Sequence, residues 1–236
     1  MHSGQPDLEV ADSFLVDDGR VVALAEHRAR FLGDSGFAPQ AWQAVLAAVP
    51  PAGAWFPRVE KRRGLGHPQL ALRPAPPRTD TVVLATAARD PRRLPLVKGP
   101  DLDALGAVRA DARAAGAGEA VLLAPSGRVV EGTSSALVWW RAGALHVVDA
   151  ALPRLRSVTE GVVLALAAES GVEVVPALAT PAELEGAELW ALSSLHGIRA
   201  ATGWIGGPRL AEPDTGRLAA WRSRWSQCGE PVQNGG

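Results

Sequence analysis

Between residues 119 and 205 the chain is cut into short apolar runs, and turn residues break each of them before it reaches the length of an ordinary helix. The runs fall at 119–124, 128–130, 136–140, 145–149, 172–175, 188–192 and 198–205. Pro125-Ser126-Gly127, Arg141-Ala142-Gly143 and Ser193-Ser194-Leu195-His196-Gly197 separate neighbouring runs, which reads as strands joined by tight turns. One strongly apolar helix, 161–169, interrupts them, with Thr159 as its expected N-cap and Gly171 as its stop. Such a stretch has to build a sheet.

The first third is more mixed. An extended pattern at 8–16 meets the turn Asp17-Asp18-Gly19-Arg20 and returns at 21–24 as a hairpin. Short helices are expected at 25–32 and 41–49, the second stopped by Pro50-Pro51, and strands at 55–60, 69–73 and 81–86. Arginine and proline dominate 87–95, which reads as a linker. A helix capped by Asp101 carries Leu102, Leu105, Val108 and Ala112 at helical spacing, an amphipathic helix covers 215–227, and 231–236 is expected to fray. The pattern gives an α+β class with a small N-terminal domain at 1–88, a linker at 89–96 and a larger C-terminal domain at 97–236.

Composition excludes several functions. The apolar share of 47% supplies a core, and a net charge of -1 argues against a nucleic-acid or anionic-membrane surface. The single cysteine, Cys228, permits neither an internal disulfide nor a multi-cysteine metal site, so no metal is expected. No secretory pattern opens the chain and no apolar run approaches the roughly 18 residues of a membrane span, which makes the cytoplasm the expected location.

Of 24 basic residues only Lys61 and Lys98 are lysine. A guanidinium never deprotonates in a protein whereas an amine can, so lysine in an arginine-biased chain marks places where an amine is needed. Lys98, in Leu94-Pro95-Leu96-Val97-Lys98-Gly99-Pro100-Asp101, reads as a candidate nucleophile; the competing reading is a solvated loop lysine. Downstream stand Glu131 at a strand end, Val158 and Thr159 at the mouth of a helix, and the hydroxyls of Ser193 and Ser194. An amine for a Schiff base, a carboxylate for a pyridine nitrogen and a cup for a phosphate are what pyridoxal 5'-phosphate requires. Lys98 supplies the first, Glu131 the second, and the Val158 and Thr159 amides, Ser193, Ser194 and Arg30 the third. Singly, each has an ordinary reading as a cap, a turn or a surface charge.

The sequence also resembles the class IV aminotransferase family of fold type IV pyridoxal phosphate enzymes, which includes branched-chain and D-amino-acid aminotransferases and 4-amino-4-deoxychorismate lyase. Phe14-Leu15-Val16-Asp17-Asp18-Gly19-Arg20-Val21 with Leu24, His27 and Arg30, then Lys98, Gly127-Arg128-Val129-Val130-Glu131-Gly132 with Ser135-Ala136-Leu137, Leu155-Arg156-Ser157-Val158-Thr159 and Leu192-Ser193-Ser194-Leu195-His196-Gly197-Ile198 carry the resemblance. It implies a small α/β sandwich followed by a larger barrel-like domain, and a homodimer acting on a small amino-acid-type substrate. It assigns Lys98 to the Schiff base, Glu131 to the pyridine nitrogen, and Arg30, Val158, Thr159, Ser193 and Ser194 to the phosphate.

Within the family, the Ser193–Arg199 block and Asp12-Ser13-Phe14 are similar to the lyase, with Ser13 in place of its active-site threonine. Tyrosine is absent, so the tyrosines of branched-chain aminotransferases have no counterpart. Two features depart from the pattern: relatives begin with a further strand and turn, and Lys98-Gly99-Pro100-Asp101 is not the usual lyase sequence. The expectation is a lyase that eliminates pyruvate and leaves 4-aminobenzoate. The alternatives are an aminotransferase for a branched-chain, D- or other small amino acid, and a non-catalytic scaffold that keeps the fold.

Overall fold

The computed structural model describes residues 7–232. Its contacts divide the chain into two units, each with its own core. The first holds the described parts of Met1–Pro77 and Cys228–Gly236 together with Val97–Leu102; the second holds Arg78–Leu96 and Asp103–Gln227.

The first unit opens with β1 (Leu8–Ser13), β2 (Val16–Asp17) and β3 (Arg20–Val22). The run expected to be continuous over 8–16 breaks at Phe14-Leu15, because β1 and β2 serve different sheets. Asp18 and Gly19 both have positive φ, the conformation of a tight hairpin turn, and a Cβ on Gly19 would lie 2.8 Å from the Pro51 carbonyl oxygen. α1 (Leu24–Ser35) and α2 (Pro39–Leu46) follow, then β4 (Ala54–Trp55), β5 (Arg58–Arg62) and β6 (Gln69–Ala71). β5 lies between β1 and β6 in one antiparallel sheet. Phe14, Phe31 and Trp42, all without exposed surface, form the centre of the core; Trp42 meets both phenyl rings at 5.6 Å.

The second unit comprises β7 (Thr81–Thr86), α3 (Leu102–Ala114), β8 (Glu119–Leu123), β9 (Val129–Gly132), β10 (Ala136–Arg141), β11 (Ala144–Val148), α4 (Val158–Glu169), β12 (Val174–Ala177), β13 (Glu188–Ser193), β14 (Gly197–Ile205) and α5 (Thr215–Gln227). Its sheet runs β12-β11-β10-β13-β14-β7-β8-β9 and curls until its far edge, β9, comes back against β10 and β11. Alternation along β10 places Leu137 and Trp139 in one core and Ala136, Val138 and Trp140 in the other, so both faces are buried. α4 and α5 cover the second face, where Trp140, Trp190 and Trp221 meet edge-on at 5.4–5.7 Å and the Arg217 guanidinium lies 4.5 Å above Trp140. Each such ring pair adds about 0.5–1.5 kcal/mol beyond its buried area.

Finally β15 (Gly229–Pro231) returns to the first unit and completes the sheet β15-β3-β2-β4. Pro231, expected in a frayed end, therefore belongs to a strand; the rest of that expectation, beyond Val232, lies outside the described residues. The boundary expected at 88, with a linker over 89–96, is not where the contacts divide the chain. β7 pairs in parallel with β14 and β8, which draws 78–86 into the second unit, while 97–102 goes with the first.

Candidate active site

In the first unit, Arg30 is held by a buried carboxylate next to Ser13 in the chain. Asp12, the neighbour of Ser13 on β1, has no exposed surface. Arg30 on α1 grips it side-on, with Nε donating to Oδ2 at 2.8 Å and Nη2 to Oδ1 at 2.9 Å, and His27 Nδ1 lies 2.7 Å from Oδ1. Burial alone would raise the Asp12 carboxyl; His27 and Arg30 overcome it and hold the group well below the usual carboxylate range. One edge of the Arg30 fork is thus fixed by Asp12, a residue the sequence reading passed over although it sits at the start of a quoted motif.

Lys98 is half-buried and is stitched to the same strand, since its carbonyl accepts the Ala11 N–H at 2.7 Å. Gly99 makes this possible. Its φ is 139°, and a Cβ there would stand 2.8 Å from the Ala11 nitrogen, inside contact distance of backbone that cannot move aside. Ser13, buried at 6% exposure, lies two residues along β1 from this junction. The other lysine, Lys61 on β5, donates to the Ser35 carbonyl at 2.9 Å.

The remaining expected residues are in the second unit. Glu131 is in β9, nearly buried, and two donors reach its carboxylate: Arg92 through Nη1, and the Leu155 N–H. The Leu155 bond brings the β9 end beside the segment that leads into α4. Burial pushes the Glu131 carboxyl up to about 7, and Arg92, Leu155 and Arg154 counter only part of that rise. Val158 and Thr159 are the first two residues of α4, both buried. The cap is Ser157 rather than the expected Thr159, and the helix starts at 158 rather than 161; Ser157 Oγ accepts the Glu160 N–H at 3.2 Å. Ser157 wins because its hydroxyl stands three residues ahead of an amide that has no intrahelical partner. The amides of Val158 and Thr159 likewise have no carbonyl in their own helix, and they sit at the positive end of its dipole. Ser193 ends β13 and its Oγ accepts the His196 N–H at 3.3 Å, while Ser194 begins the turn. Gly197 closes that turn with φ 66° against the Trp225 ring, 2.9 Å from where a Cβ would be.

The structure adds groups that the sequence reading did not select. Arg154 binds Glu160 with two bonds of 2.5 and 2.6 Å, and its Nε is buried without an acceptor among the described residues. Glu119, fully buried, accepts from Thr133, from Ser134 at 2.6 Å and from Ser135 at 3.0 Å, which fixes the turn that follows Glu131. Ionic residues buried in pairs leave no periodic trace in a sequence, and Arg92 lay in a stretch whose prolines read as linker.

Residues 67–204, more than half of the 236, match the model of the family described as amino-transferase class IV. The chain belongs to that family. A search of curated proteins found no match. Among solved structures, a hypothetical aminotransferase from Mycobacterium tuberculosis bound to alpha-ketoglutarate and PMP is 20% identical, with 94% of this chain and 90% of that one covered and a TM-score of 0.79. A branched-chain aminotransferase from the archaeon Thermoproteus uzoniensis, solved with norvaline, is 20% identical over 94% and 89%, with a TM-score of 0.78. A putative 4-amino-4-deoxychorismate lyase is 23% identical over 92% and 88%, with a TM-score of 0.74. The fold of this class IV protein is therefore that of fold type IV, as the sequence motifs implied.

Proposed function

We propose that this class IV protein is a pyridoxal 5'-phosphate enzyme acting as a 4-amino-4-deoxychorismate lyase. Membership of the class IV aminotransferases makes it a pyridoxal phosphate enzyme, and the residues fit that group. First-turn amides that have no carbonyl in their own helix, at the positive end of α4, suit a phosphate dianion. A buried carboxylate that accepts from Arg92 suits a ring nitrogen that must carry a proton. When bound, the cofactor supplies an electron sink for carbanion chemistry.

The observation that carries the lyase reading is the placement of Ser13 on β1, two residues from the Ala11 amide that binds the Lys98 carbonyl. The Lys98 amine takes the proton from the substrate carbon that bears the amino group. The electron pair left on the ring expels the enolpyruvyl oxygen as the ring becomes aromatic, and the Ser13 hydroxyl relays the proton held by the Lys98 ammonium to the departing fragment. The products, 4-aminobenzoate and pyruvate, account for all atoms of the substrate, and no oxidant is needed. A transaminase would instead need a 2-oxo acid to complete its cycle.

The test follows from that difference. Protein reconstituted with pyridoxal phosphate is expected to release pyruvate from 4-amino-4-deoxychorismate with no acceptor added, and Ser13→Ala to slow release by about 10²-fold with cofactor affinity nearly unchanged. Borohydride is expected to attach the cofactor to Lys98. Turnover that appears only with an added 2-oxo acid, on branched-chain or D-amino acids, would establish the transaminase; attachment at Lys61, or no cofactor bound, would overturn the assignment of Lys98.

A further inference from the structure

Arg92 bonds two carboxylates of the second unit, and its commitments are unequal. Its Nε and Nη2 engage the Asp90 carboxylate at 2.6–3.1 Å, and its backbone N–H adds a further bond at 3.0 Å. Asp90 therefore both neutralises the guanidinium and fixes its plane. The remaining nitrogen, Nη1, is delivered to Glu131 Oε1, with the Arg92 side chain only 5% exposed. The other charges around Glu131 are arranged differently. Arg154 bonds Glu160 and acts on Glu131 through space, and Glu119, from the adjacent strand β8, accepts from the hydroxyls of 133–135 and pairs with Arg199 at 3.6 Å; in register, Glu131 faces the apolar Leu122.

A purely structural ion pair is a weak explanation. Buried pairs add little net stability, and Asp90 already satisfies most of the Arg92 fork. The desolvation that Glu131 suffers favours its neutral form, and a neutral carboxyl cannot serve as counter-ion to a protonated heteroaromatic nitrogen. We propose that Arg92, held rigid by Asp90, is a positioning residue that keeps Glu131 ionised and oriented for that nitrogen. The role toward the cofactor rests on the pyridoxal phosphate reading above; the hold on Glu131 itself does not.

The experiment reads Glu131 directly. In full-length cofactor-free protein carrying ¹³C-labelled glutamate, the Glu131 carboxyl resonance, assigned through Glu131→Gln, is expected to titrate with a midpoint of about 7. Arg92→Gln is expected to raise that midpoint by about one pH unit or more, and Arg92→Lys to restore part of the shift. In case Arg92→Gln does not fold, Arg92→Lys keeps the charge but loses the fork that Asp90 and Glu131 share, and it is expected to raise the midpoint by a smaller amount. A midpoint that stays in place in whichever of the two variants folds overturns the proposal. In reconstituted protein, Arg92→Gln is expected to lower kcat by about tenfold while KM stays within about twofold. Wild-type protein that binds no pyridoxal phosphate would sink the parent reading, whereas protein that binds it with an unmoved Glu131 midpoint would sink this one alone.

Discussion

Asp12, itself without exposed surface, meets three nitrogens from α1. Removing one member of a buried ionic cluster strands the others, which typically costs about 3–5 kcal/mol. Asp12→Ala is accordingly expected to lose stability of that order in urea unfolding at pH 7, far more than a surface aspartate. The pH dependence has a definite sign. The folded carboxyl titrates below its ordinary value of 3.8, so its contribution is complete above that value and fades as the pH falls below it. The gap between wild type and Asp12→Asn should shrink from pH 5 to pH 2; a gap that stays constant over that interval would show that the charge is not what stabilises. Neither the partners nor the burial of Asp12 was legible from its place in the chain, because His27 and Arg30 reach it only once α1 packs on β1.

At the scale of elements, the α4 terminus joins local chemistry to the candidate phosphate site. Ser157-Val158-Thr159-Glu160 has the serine-to-glutamate spacing of a helix start, and half of the reciprocal pair forms: Ser157 Oγ takes the Glu160 N–H while the Glu160 carboxylate goes to Arg154. Ser157→Ala is expected to cost about 1 kcal/mol in thermal unfolding, with Ser157→Gly costing less. No difference between the two variants and wild type would mean that packing alone fixes the terminus. In the first unit, α1 has no side-chain cap of its own; Glu230 supplies one, its Oε1 accepting the Leu24 N–H at 2.7 Å and the Ala25 N–H at 3.3 Å.

For the molecule as a whole, that cap ties the last described residues to the first unit. Val232 adds an apolar contact to the same core, and β15 supplies an edge to β3. Ending the chain after Gln227 should therefore loosen the first unit selectively: amide exchange in α1 is expected to accelerate by orders of magnitude while β10 and β13 keep their protection. Equal acceleration in both units would show that they unfold together. The sequence by itself determined most of the elements, because period and turn chemistry are local: the alternation in 136–140, the Asp18-Gly19 turn and the proline stop at 50–51 needed no knowledge of neighbours. It also singled out the amine of Lys98 and the carboxylate of Glu131 as candidates, since residue types follow from the chemistry required. Only the tertiary structure decided that β7 joins the eight-stranded sheet, that 97–102 goes with the first unit, and that Arg92 and Asp12 carry charge beside Glu131 and Arg30. Strand pairing and buried ion pairs depend on which distant segments meet, and that is set by the summed burial of the whole chain rather than by any stretch of it.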